Sequence, residues 1–495
     1  MNNLPNESFE CKNLQSAVKF SNSVSEIIKD EVNKGYLSGP YNEAPFLIYR
    51  VSPIGVVSKR NSSKMRLIVD LSAPHDDASH ASLNDLICKQ DFSLTYVRID
   101  DAIKIIKRYG VGTKLCKTDI TDAFRLIPIR ADLQRFYGIK WRSKYYFYTK
   151  LAFGSRSSPK IFDSLSTAIC WIANHNYSIE NILHLLDDFL TIDPPWFDAD
   201  ITMRALMSLF SNLNIPLAAA KTVGPTTCLE YLGIILDTIL MQARLPPDKL
   251  AHLVLLLESF MQKSSCTKRE LQSLLGHLNF ACRTIVPGRS FISRLLEIMK
   301  SAKRQNQIIN LTEESKEDIK MWFTLLSDWN GISFFLEDEF TQTTDMELYT
   351  DSSGIGFGGY FKGQWFSSAW PSNIKARFLE HDLSIAFLEL YPIVIAAILW
   401  GSNWCKKRIV FRCDNSATVM ILQKGRSKCK HIMQLVRRLV LIAAKHNFSF
   451  NAKHVPGVCN QISDSLSRLQ ELRFRRLAPE AQQYPMQIPS EVLFI

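Results

Sequence analysis

The chain contains 495 residues, of which 46% are hydrophobic and 22% are charged, with 20 Gly and 20 Pro. This composition is typical of folded globular domains, excludes a collagen-like or wholly disordered chain, and at this length allows about two or three domains. The 59 Lys and Arg exceed the 48 Asp and Glu by 11, which favours a polyanionic partner, either nucleic acid or an anionic membrane surface.

The N-terminal sequence and the apolar runs favour an intracellular protein without a membrane partner. The sequence MNNLPNESFECKN lacks a basic region followed by an apolar stretch, so we expect no secretory signal and a location in the cytoplasm or nucleus. The longest apolar run, residues 390–400, is shorter than the roughly 20 residues that span a bilayer. The 11 cysteines are irregularly spaced without a CxxC motif, which indicates reduced thiols rather than disulfides or a zinc module.

Two segments in the first half of the chain place acidic residues in apolar, strand-like surroundings. Asp119 and Asp122 lie in KTDITDAFRLIPI, and Asp187 and Asp188 lie in NILHLLDDFLTI, a pattern that predicts a hairpin with the adjacent acids at its turn. Buried carboxylates are costly unless they are paired or bind a cation, so these acids predict a metal site for Mg²⁺. Alone, an Asp-Asp pair in a turn is more often a solvated surface pair.

A strongly basic segment follows at residues 263–304, with nine Lys or Arg and two acids. Its leucines recur at helical spacing on both sides of the sequence VPG, which predicts two helices with basic outer faces. Two interpretations remain open for these helices. They form either a solvated surface or a clamp on a phosphate backbone, which needs clustered Lys and Arg but no base-reading geometry.

Three weaker patterns lie around the second half of the chain. The sequence NLTEESKEDIKMWFTLL predicts a helix with Thr312 at its N-cap and acids in its first turn. Residues 331–345 are acidic and loop-like, and indicate a domain boundary. After Arg468 the chain contains three prolines and little periodicity, so we expect a weakly ordered tail.

A second set of acids occurs between residues 346 and 468. The segment ELYTDSSGIGFGGYFKGQWFSSAW predicts three antiparallel strands with Asp351 at the end of the first. Glu389 lies in the first turn of a predicted buried helix, Asp414 ends a predicted strand, and Asp464 lies on a C-terminal helix, ten residues after His454. Each of these acids alone is compatible with a helix cap or a surface charge.

Taken in chain order, these segments resemble a reverse transcriptase followed by a ribonuclease H domain, and the resemblance covers most of the chain. The matching motifs include KRNSSKMRLIVDLS, LAFGSRSSPKIF, AAAKTVGPT and EYLGIILD. The resemblance implies an α+β right-hand polymerase with fingers, palm and helical thumb, followed by an α/β ribonuclease H-like domain. The implied domains are fingers and palm in 1–240, thumb in 241–304, connection in 305–344, ribonuclease H domain in 345–468, and a weakly ordered tail in 469–495.

The resemblance also implies roles for individual residues of the polymerase. Metal ligands would be Asp119, Asp187 and Asp188, and Lys221 would act catalytically near the pyrophosphate leaving group. Phe124 matches the family's steric gate against a ribose 2′-hydroxyl. The remaining implied nucleotide-binding residues are Lys59, Arg66, Asp122, Phe153 and Gly154. The implied nucleic-acid-binding residues of the thumb are Lys268, Arg269, Arg283 and Arg289.

For the ribonuclease H domain, the resemblance implies metal ligands at Asp351, Glu389, Asp414 and Asp464, with His454 near the leaving group. Each active site would use two Mg²⁺ ions, with Mn²⁺ as a possible substitute, for phosphoryl transfer or for hydrolysis of the phosphodiester. Restriction to RNA paired with DNA would come from contacts to 2′-hydroxyls in the wide minor groove.

The sequence therefore predicts an RNA-directed DNA polymerase with ribonuclease H activity that copies retroelement RNA into DNA. Its partners would be an RNA template, a DNA primer, the RNA–DNA hybrid, dNTPs and a separately encoded recombinase or integrase. The phrases LQSLLGHLNFACRTIVPGRSF and RRLAPEAQ look most like DIRS-type retrotransposons. Two alternatives remain open: a gypsy-like or pararetroviral polymerase with the same chemistry, and a domesticated copy that binds nucleic acid without catalysis.

Overall fold

The chain forms two compact units, residues 1–229 and residues 230–495. We describe each unit separately, from a computed structural model of the chain. The structure describes residues 4–58, 65–75, 80–327, 332–336, 339–341 and 346–489.

A four-stranded antiparallel sheet in the first unit carries the first group of acids. Its strands, in spatial order, are Val223–Thr226, Lys114–Asp119, Asp188–Asp193 and Ile182–Leu185. Helices Ser158–Tyr177 and Ala199–Asn212 pack on the sheet, and Phe162, Phe189 and Phe210 are fully buried in the shared core. Burial of three phenylalanines gives this sheet a rigid base, because each ring removes a large apolar area from water.

The predicted hairpin at the adjacent aspartates is confirmed. Asp188 begins the second strand opposite Leu185, and Leu186 and Asp187 form the turn. Leu186 adopts a φ of 54°, the left-handed conformation that two-residue hairpin turns favour. Asp188 also lies opposite Asp119 on the neighbouring strand, so the sheet brings the two motifs together at one end.

The rest of the first unit contains a second sheet, a hairpin and short helices. The sheet has the strand order Phe9–Glu10, Arg50–Val51, Gly138–Trp141, Lys144–Tyr148 and Leu37–Tyr41, and the hairpin joins Ile54–Ser58 to Met65–Val69. The remaining helices are Gln15–Lys19, Ser21–Asn33, Ile99–Tyr109 and Ala131–Gln134, with 3₁₀ turns at Ala123–Leu126 and Ala219–Lys221. Arg66 lies on the hairpin, whereas Lys59 lies outside the described residues.

Helices dominate the first part of the second unit. The two helices predicted around VPG are confirmed, at Lys268–Ala281 and Ser293–Ser301, and a 3₁₀ turn, Val286–Phe291, separates them. The Thr267 hydroxyl and the Glu270 carboxylate cap the first of them reciprocally, which satisfies two backbone N–H groups. The other helices here are Pro247–Met261 and Glu313–Ser327, and the short strands are Ile234–Asp237, Gln242–Arg244, Ser265–Thr267 and Ile308–Asn310.

Two expectations for this region have clear outcomes. Thr312 precedes helix Glu313–Ser327 and its hydroxyl accepts from the Ser315 N–H at 3.2 Å, which confirms the predicted cap. The loop expected at residues 331–345 is wrong in part, because Ile332–Phe334 forms a strand that pairs with Gln242–Arg244. The chain passes from the first unit to the second within strand Cys228–Tyr231.

The second set of acids lies on a mixed α/β arrangement. Three antiparallel strands are present where the sequence predicted them, and two later strands pair in parallel. The strands are Leu348–Ser352, Gly356–Phe361, Gln364–Ala369, Arg408–Cys413 and Ser449–His454. The helices are Ser372–Leu379, Ile385–Trp400, Ser416–Lys424, Lys430–Lys445, Gln461–Ser467 and Glu471–Leu477, with 3₁₀ turns at Gly401–Trp404 and Gly457–Cys459.

The helix that carries Glu389 is apolar on every face. Together with the following 3₁₀ turn, it is the one candidate, within the described part of the chain, that is long and apolar enough to cross a membrane. In the structure 78% of its apolar window is buried inside the protein, against strand Leu348–Ser352 and helix Lys430–Lys445. The apolar run counted from the sequence begins at Leu390 because Glu389 precedes it, whereas the helix extends back to Ile385. A helix enclosed on all sides has no solvent-facing stripe to keep polar.

The expected weakly ordered tail is wrong for residues 470–489. Helix Glu471–Leu477 follows closely on the acid-bearing helix Gln461–Ser467, and its Phe474 is fully buried against Trp365 and Tyr360. The three prolines do not prevent this packing, because the chain beyond Leu477 forms turns and bends without a regular helix and needs no helical hydrogen bonds.

Candidate active sites

The first candidate site lies at the end of the sheet in the first unit. Asp119 is the last residue of its strand, Asp188 is the first residue of the neighbouring strand, and Asp187 occupies the turn before it. Asp119 is 5% exposed. The fold therefore brings together the three carboxylates that the sequence singled out, although 68 residues separate Asp119 from Asp187 in the chain.

Two lysines neutralise part of this negative charge. The Lys221 ammonium lies 2.8 Å from Asp119 Oδ2, and the Lys117 ammonium lies 3.2 Å from Asp188 Oδ1. Sequence reasoning found Lys221 but missed Lys117. The signal was present in the strand, because a residue two positions before Asp119 points to the same face of the sheet.

Crowding of the carboxylates disfavours their charged forms. Burial raises the pKa of Asp187, and the nearby Asp119 charge raises it further. Burial also raises the pKa of Asp188, against the opposing effect of Lys117. Three hard oxygen donors that repel one another form a set that Mg²⁺ or Mn²⁺ fits, because a divalent cation removes the repulsion.

A cavity of about 530 Å³ opens at these acids. Its lining includes Arg66, Asp119, Asp122, Phe153, Asp187 and Lys221. The Arg66 guanidinium stacks on the Phe153 ring at 4.6 Å, a contact that positions the cation without consuming its hydrogen-bond donors. The cavity therefore presents basic side chains, including Arg66 and Lys221, and a group of acids to one bound molecule.

The neighbouring residues Phe124 and Gly154 shape this cavity in different ways. Phe124 does not line the cavity directly; its ring packs on Phe153 at 4.9 Å and on Phe162 at 5.4 Å. Gly154 has a φ of +91°, and a Cβ there would lie 2.8 Å from the Val69 carbonyl. Only glycine allows the backbone to approach the hairpin strand so closely.

A second group of paired side chains around this cavity was not predicted from the sequence. One member of each pair comes from helix Ser21–Asn33 or from the residues after it. Arg125, which is almost fully buried, pairs with Glu31 at 2.8 Å. The Tyr36 hydroxyl donates to Asp122 Oδ2 at 3.2 Å. These partners are at least 86 residues apart in the chain, and no local pattern marks them.

The second candidate site lies in the second unit, where strands and helices bring four acids together. Asp351 accepts a hydrogen bond from the Ser467 hydroxyl at 2.6 Å, and Glu389 accepts one from the Ser352 hydroxyl at 2.9 Å. Ligand atoms of Glu389, Cys413 and Asp414 lie within 4.8 Å of one another. Asp414 and Asp464 are both close enough to Asp351 to raise its pKa.

Burial dominates the electrostatics of this site. Burial, together with repulsion from neighbouring carboxylates, raises the pKa of Glu389 to about 8 and the pKa of Asp351 to about 7. The acids are again hard donors crowded at one place, which fits a divalent cation. Cys413 adds a buried thiol beside Glu389, and the sequence analysis assigned no role to it.

We expect Glu389→Gln to stabilise the cation-free protein at alkaline pH. Because the folded-state pKa is raised, the folded chain binds more protons than the unfolded chain between about pH 4.5 and 8, and stability falls as pH rises through that window. The neutral amide removes this cost, so the free energy of unfolding at pH 8 should rise by about 2 to 4 kcal/mol. Denaturant unfolding in chelator tests this, with the exposed Glu380→Gln as control. An unchanged pH dependence would contradict the assigned burial.

His454 and Asp464 lie at the more exposed edge of the second site. A ring nitrogen of His454 lies 3.0 Å from the Asp414 carbonyl oxygen, and the ring is exposed. Asp464 forms ion pairs with Arg468 and Arg473, each at 2.7 Å. Partial burial of Asp464 acts to raise its pKa, but the two ion pairs outweigh burial and hold the pKa below its usual value. The structure therefore places all five predicted residues in one region.

The four basic residues singled out on the helical segment are not equivalent. Arg269, Arg283 and Arg289 are exposed, and Arg283 stacks on the Phe280 ring at 5.1 Å. The Lys268 ammonium is half-buried and donates to the Ala302 carbonyl at 2.8 Å. Three guanidinium groups are therefore available to a polyanion, whereas Lys268 already serves the local structure.

The protein has a polymerase fold of the reverse-transcriptase type with a ribonuclease H-like part, as predicted. This fold comprises the antiparallel sheet that carries Asp119 and Asp188, the basic helices and the mixed α/β arrangement. The chain is similar to a solved structure of the foamy viral protease-reverse transcriptase dRH in complex with ds DNA. The two share 16% identity with a TM-score of 0.51, over 91% of this chain and 72% of that chain. Another foamy viral protease-reverse transcriptase structure, in complex with dsDNA, covers 92% of this chain and 86% of that chain, with 16% identity and a TM-score of 0.49.

One sequence relative comes from a retrovirus. The chain is 22% identical over 209 residues, or 41% of its length, to the Gag-Pro-Pol polyprotein of Human T-cell leukemia virus 3 (strain Pyl43). The match spans 14% of that polyprotein. No family model matches the chain.

Proposed function

We propose that this protein is an RNA-directed DNA polymerase with ribonuclease H activity, which copies retroelement RNA into DNA and degrades the RNA of the hybrid. The observation that carries the proposal is the meeting of Asp119, Asp187 and Asp188 beside a cavity that also presents Arg66 and Lys221. Acids alone would suit many cation sites. Acids that share a cavity with basic side chains suit a metal–triphosphate complex.

In the polymerase site, Asp119, Asp187 and Asp188 would hold the cations. Bound Mg²⁺ would neutralise charge on the triphosphate and stabilise the attacking and leaving oxygens. Arg66, fixed on the Phe153 ring, would bind the triphosphate, and Lys221 would neutralise the departing pyrophosphate. Lys221 is already at the cluster, because its ammonium contacts Asp119.

In the ribonuclease H site, Asp351, Glu389, Asp414 and Asp464 would hold the cations. Bound Mg²⁺ would activate a water for attack on the RNA phosphodiester. The exposed imidazole of His454, whose ring nitrogen lies 3.0 Å from the Asp414 carbonyl oxygen, would assist departure of the product. Ser352 and Ser467 orient Glu389 and Asp351 through hydrogen bonds and so fix the donor set.

The finer parts of the proposal concern the element and its partners. We assign the chain to the DIRS-type elements, with Mg²⁺ as cofactor, dNTPs as substrates and a separately encoded recombinase as partner. The foamy viral relatives were solved with dsDNA, which is the kind of partner that the exposed Arg269, Arg283 and Arg289 fit. An intracellular location follows from these substrates and is part of the same proposal.

Extension of an oligo(dT) primer on poly(rA) by the full chain, with Mg²⁺ and dTTP, tests the polymerase proposal. We expect incorporation that requires the divalent cation and fails in chelator. A folded chain that extends the same primer on poly(dA) but not on poly(rA) would contradict RNA-directed synthesis. Failure on both templates with Mg²⁺ and with Mn²⁺ would contradict polymerase activity altogether.

Neutralising the exposed thumb arginines should weaken nucleic-acid binding in a salt-dependent way. For Arg269→Gln, Arg283→Gln and Arg289→Gln, the plot of log affinity against log salt should flatten by about one unit for each lost phosphate contact. Filter binding or fluorescence anisotropy with a template–primer duplex measures this slope.

Lys268→Gln is the matched control for these variants, because its ammonium already donates to Ala302 and it adjoins Arg269 in sequence. We expect Lys268→Gln to change the slope less than Arg269→Gln does. Slopes equal to that of the unmodified protein in all four variants would mean that these helices form a solvated surface.

A further inference from the structure

The C-terminal helix Glu471–Leu477 is fixed to the ribonuclease H-like part by a buried aromatic cluster. Phe474 is fully buried, with its ring 4.9 Å from Trp365 and 6.4 Å from Tyr360. Beyond the helix, the Trp365 indole N–H donates to the Gln482 carbonyl at 2.8 Å, and the Met486 N–H donates to the Trp365 carbonyl at 2.7 Å. The helix therefore has a defined orientation relative to the strands.

A second set of contacts joins the helix and the neighbouring strands to the residues that follow the helix. The Arg475 guanidinium stacks on Trp365 at 5.1 Å and donates to the Ala481 and Gln482 carbonyls at 3.2 and 2.8 Å. The Tyr360 hydroxyl donates to Glu480 at 2.6 Å. Arg475 and Glu480 thus serve the fold of this segment.

Arg473 of this helix reaches the fourth acid of the second site. Its Nη1 lies 2.7 Å from Asp464 Oδ2, while Arg468 Nε lies 2.7 Å from Asp464 Oδ1. Gln470 accepts from the same Nη1 at 3.2 Å, which helps to orient the guanidinium. Both carboxylate oxygens of Asp464 are therefore occupied by cationic donors.

We propose that Arg473 competes with a divalent cation for Asp464, so that the C-terminal helix sets the cation concentration at which the ribonuclease H site is filled. The inference rests on the proposed ribonuclease H function. Asp464 can ligate a cation through Oδ2 only when the Arg473 guanidinium moves away, because the two cations repel each other at that distance. The anchored helix keeps the guanidinium nearby, so its return is favoured whenever the cation leaves.

Direct titration with Mn²⁺, followed by electron paramagnetic resonance on the full chain, tests the competition without relying on activity. Asp464→Asn identifies the binding that depends on the fourth acid. Arg473→Gln should tighten that binding by about threefold to fivefold, the range expected for a partly exposed ion pair. The Mn²⁺ concentration for half-maximal hybrid cleavage should fall by the same factor.

Arg476→Gln is the matched control, because Arg476 is exposed on the same helix and forms no ion pair with any residue of the described ranges. Arg473→Lys keeps the charge and should bind Mn²⁺ nearly as the unmodified protein does. This second variant also guards against misfolding, which thermal unfolding of each variant would reveal.

Three outcomes would overturn the competition or its basis. Equal Mn²⁺ affinity in Arg473→Gln and Arg476→Gln would overturn the competition. Weaker Mn²⁺ binding in Arg473→Gln would also overturn it, because the guanidinium would then order Asp464 for the ion. Absence of both Asp464-dependent Mn²⁺ binding and hybrid cleavage in the unmodified chain would instead overturn the proposed ribonuclease H function, and the competition with it.

Discussion

Asp187→Asn should abolish DNA synthesis while hybrid cleavage survives. Asp187 lies in the hairpin turn directly before Asp188, and its carboxylate is one of three that would hold the cations in the first unit. The neutral amide loses most of the attraction for a divalent cation, and a loss of about 4 kcal/mol in transition-state stabilisation corresponds to about a thousandfold in rate. Primer extension and hybrid cleavage, measured on the same preparation, give the comparison.

The exposed Asp200→Asn, in the same unit, is the control for removal of one negative charge. It should retain both activities. Loss of both activities in a folded Asp187→Asn protein would contradict separate polymerase and ribonuclease H sites. Full synthesis by Asp187→Asn would contradict the assignment of the cation site itself.

Replacement of Phe124 should change the choice between deoxyribonucleotides and ribonucleotides. Phe124 supports Phe153, the ring that lines the cavity, and the two rings lie 4.9 Å apart. If the Phe124 ring excludes a 2′-hydroxyl, Phe124→Val should raise ribonucleotide incorporation relative to deoxyribonucleotide by on the order of tenfold or more, because a steric barrier is removed. Single-nucleotide extension with dTTP and UTP gives the ratio of kcat/KM values.

Phe124→Tyr keeps the ring and is the matched control for this variant. It should preserve the preference for dTTP. The packing of Phe124 behind Phe153 also offers a second route to the same effect, because loss of the support lets Phe153 move. An unchanged ratio in Phe124→Val would mean that another residue excludes the ribose.

Local sequence patterns were sufficient for the elements that present the acids. The two apolar, strand-like runs on either side of Asp187 and Asp188 predicted the hairpin, and the leucine spacing predicted helix Lys268–Ala281. Both patterns depend on neighbours within a few residues, so the sequence contains the whole signal. The meeting of Asp119 with Asp188 is a pairing between distant strands. The acids in strand-like surroundings suggested a shared metal site, and the resemblance to a known family then specified the ligands.

Contacts between distant residues explain what was missed. The tail has a helix of seven residues, too short for a clear period, and the partner of Phe474 is Trp365, more than 100 residues earlier. Strand Ile332–Phe334 has only three residues and depends on Gln242–Arg244 for its hydrogen bonds. In both cases tertiary contacts, not intrinsic preference, stabilise the element.

The charged partners of the acids were missed for a related reason. The alternation of side chains along a strand was enough to predict that Lys117 lies on the same face as Asp119. Arg473, in contrast, lies in a segment that was expected to lack order. Ion pairs of this kind depend on where side chains converge in space. Sequence patterns predict an acid at the end of a strand more easily than they identify the basic side chain that forms an ion pair with it.

One measurement tests the central claim of two separate cation-dependent sites in one chain. A substrate with a labelled DNA primer and a labelled RNA template allows extension and cleavage to be read on one gel, for the unmodified chain, Asp187→Asn and Asp351→Asn. We expect reciprocal losses: Asp187→Asn cleaves without extending, and Asp351→Asn extends without cleaving. Loss of both activities in each folded variant, or of neither, would contradict the account.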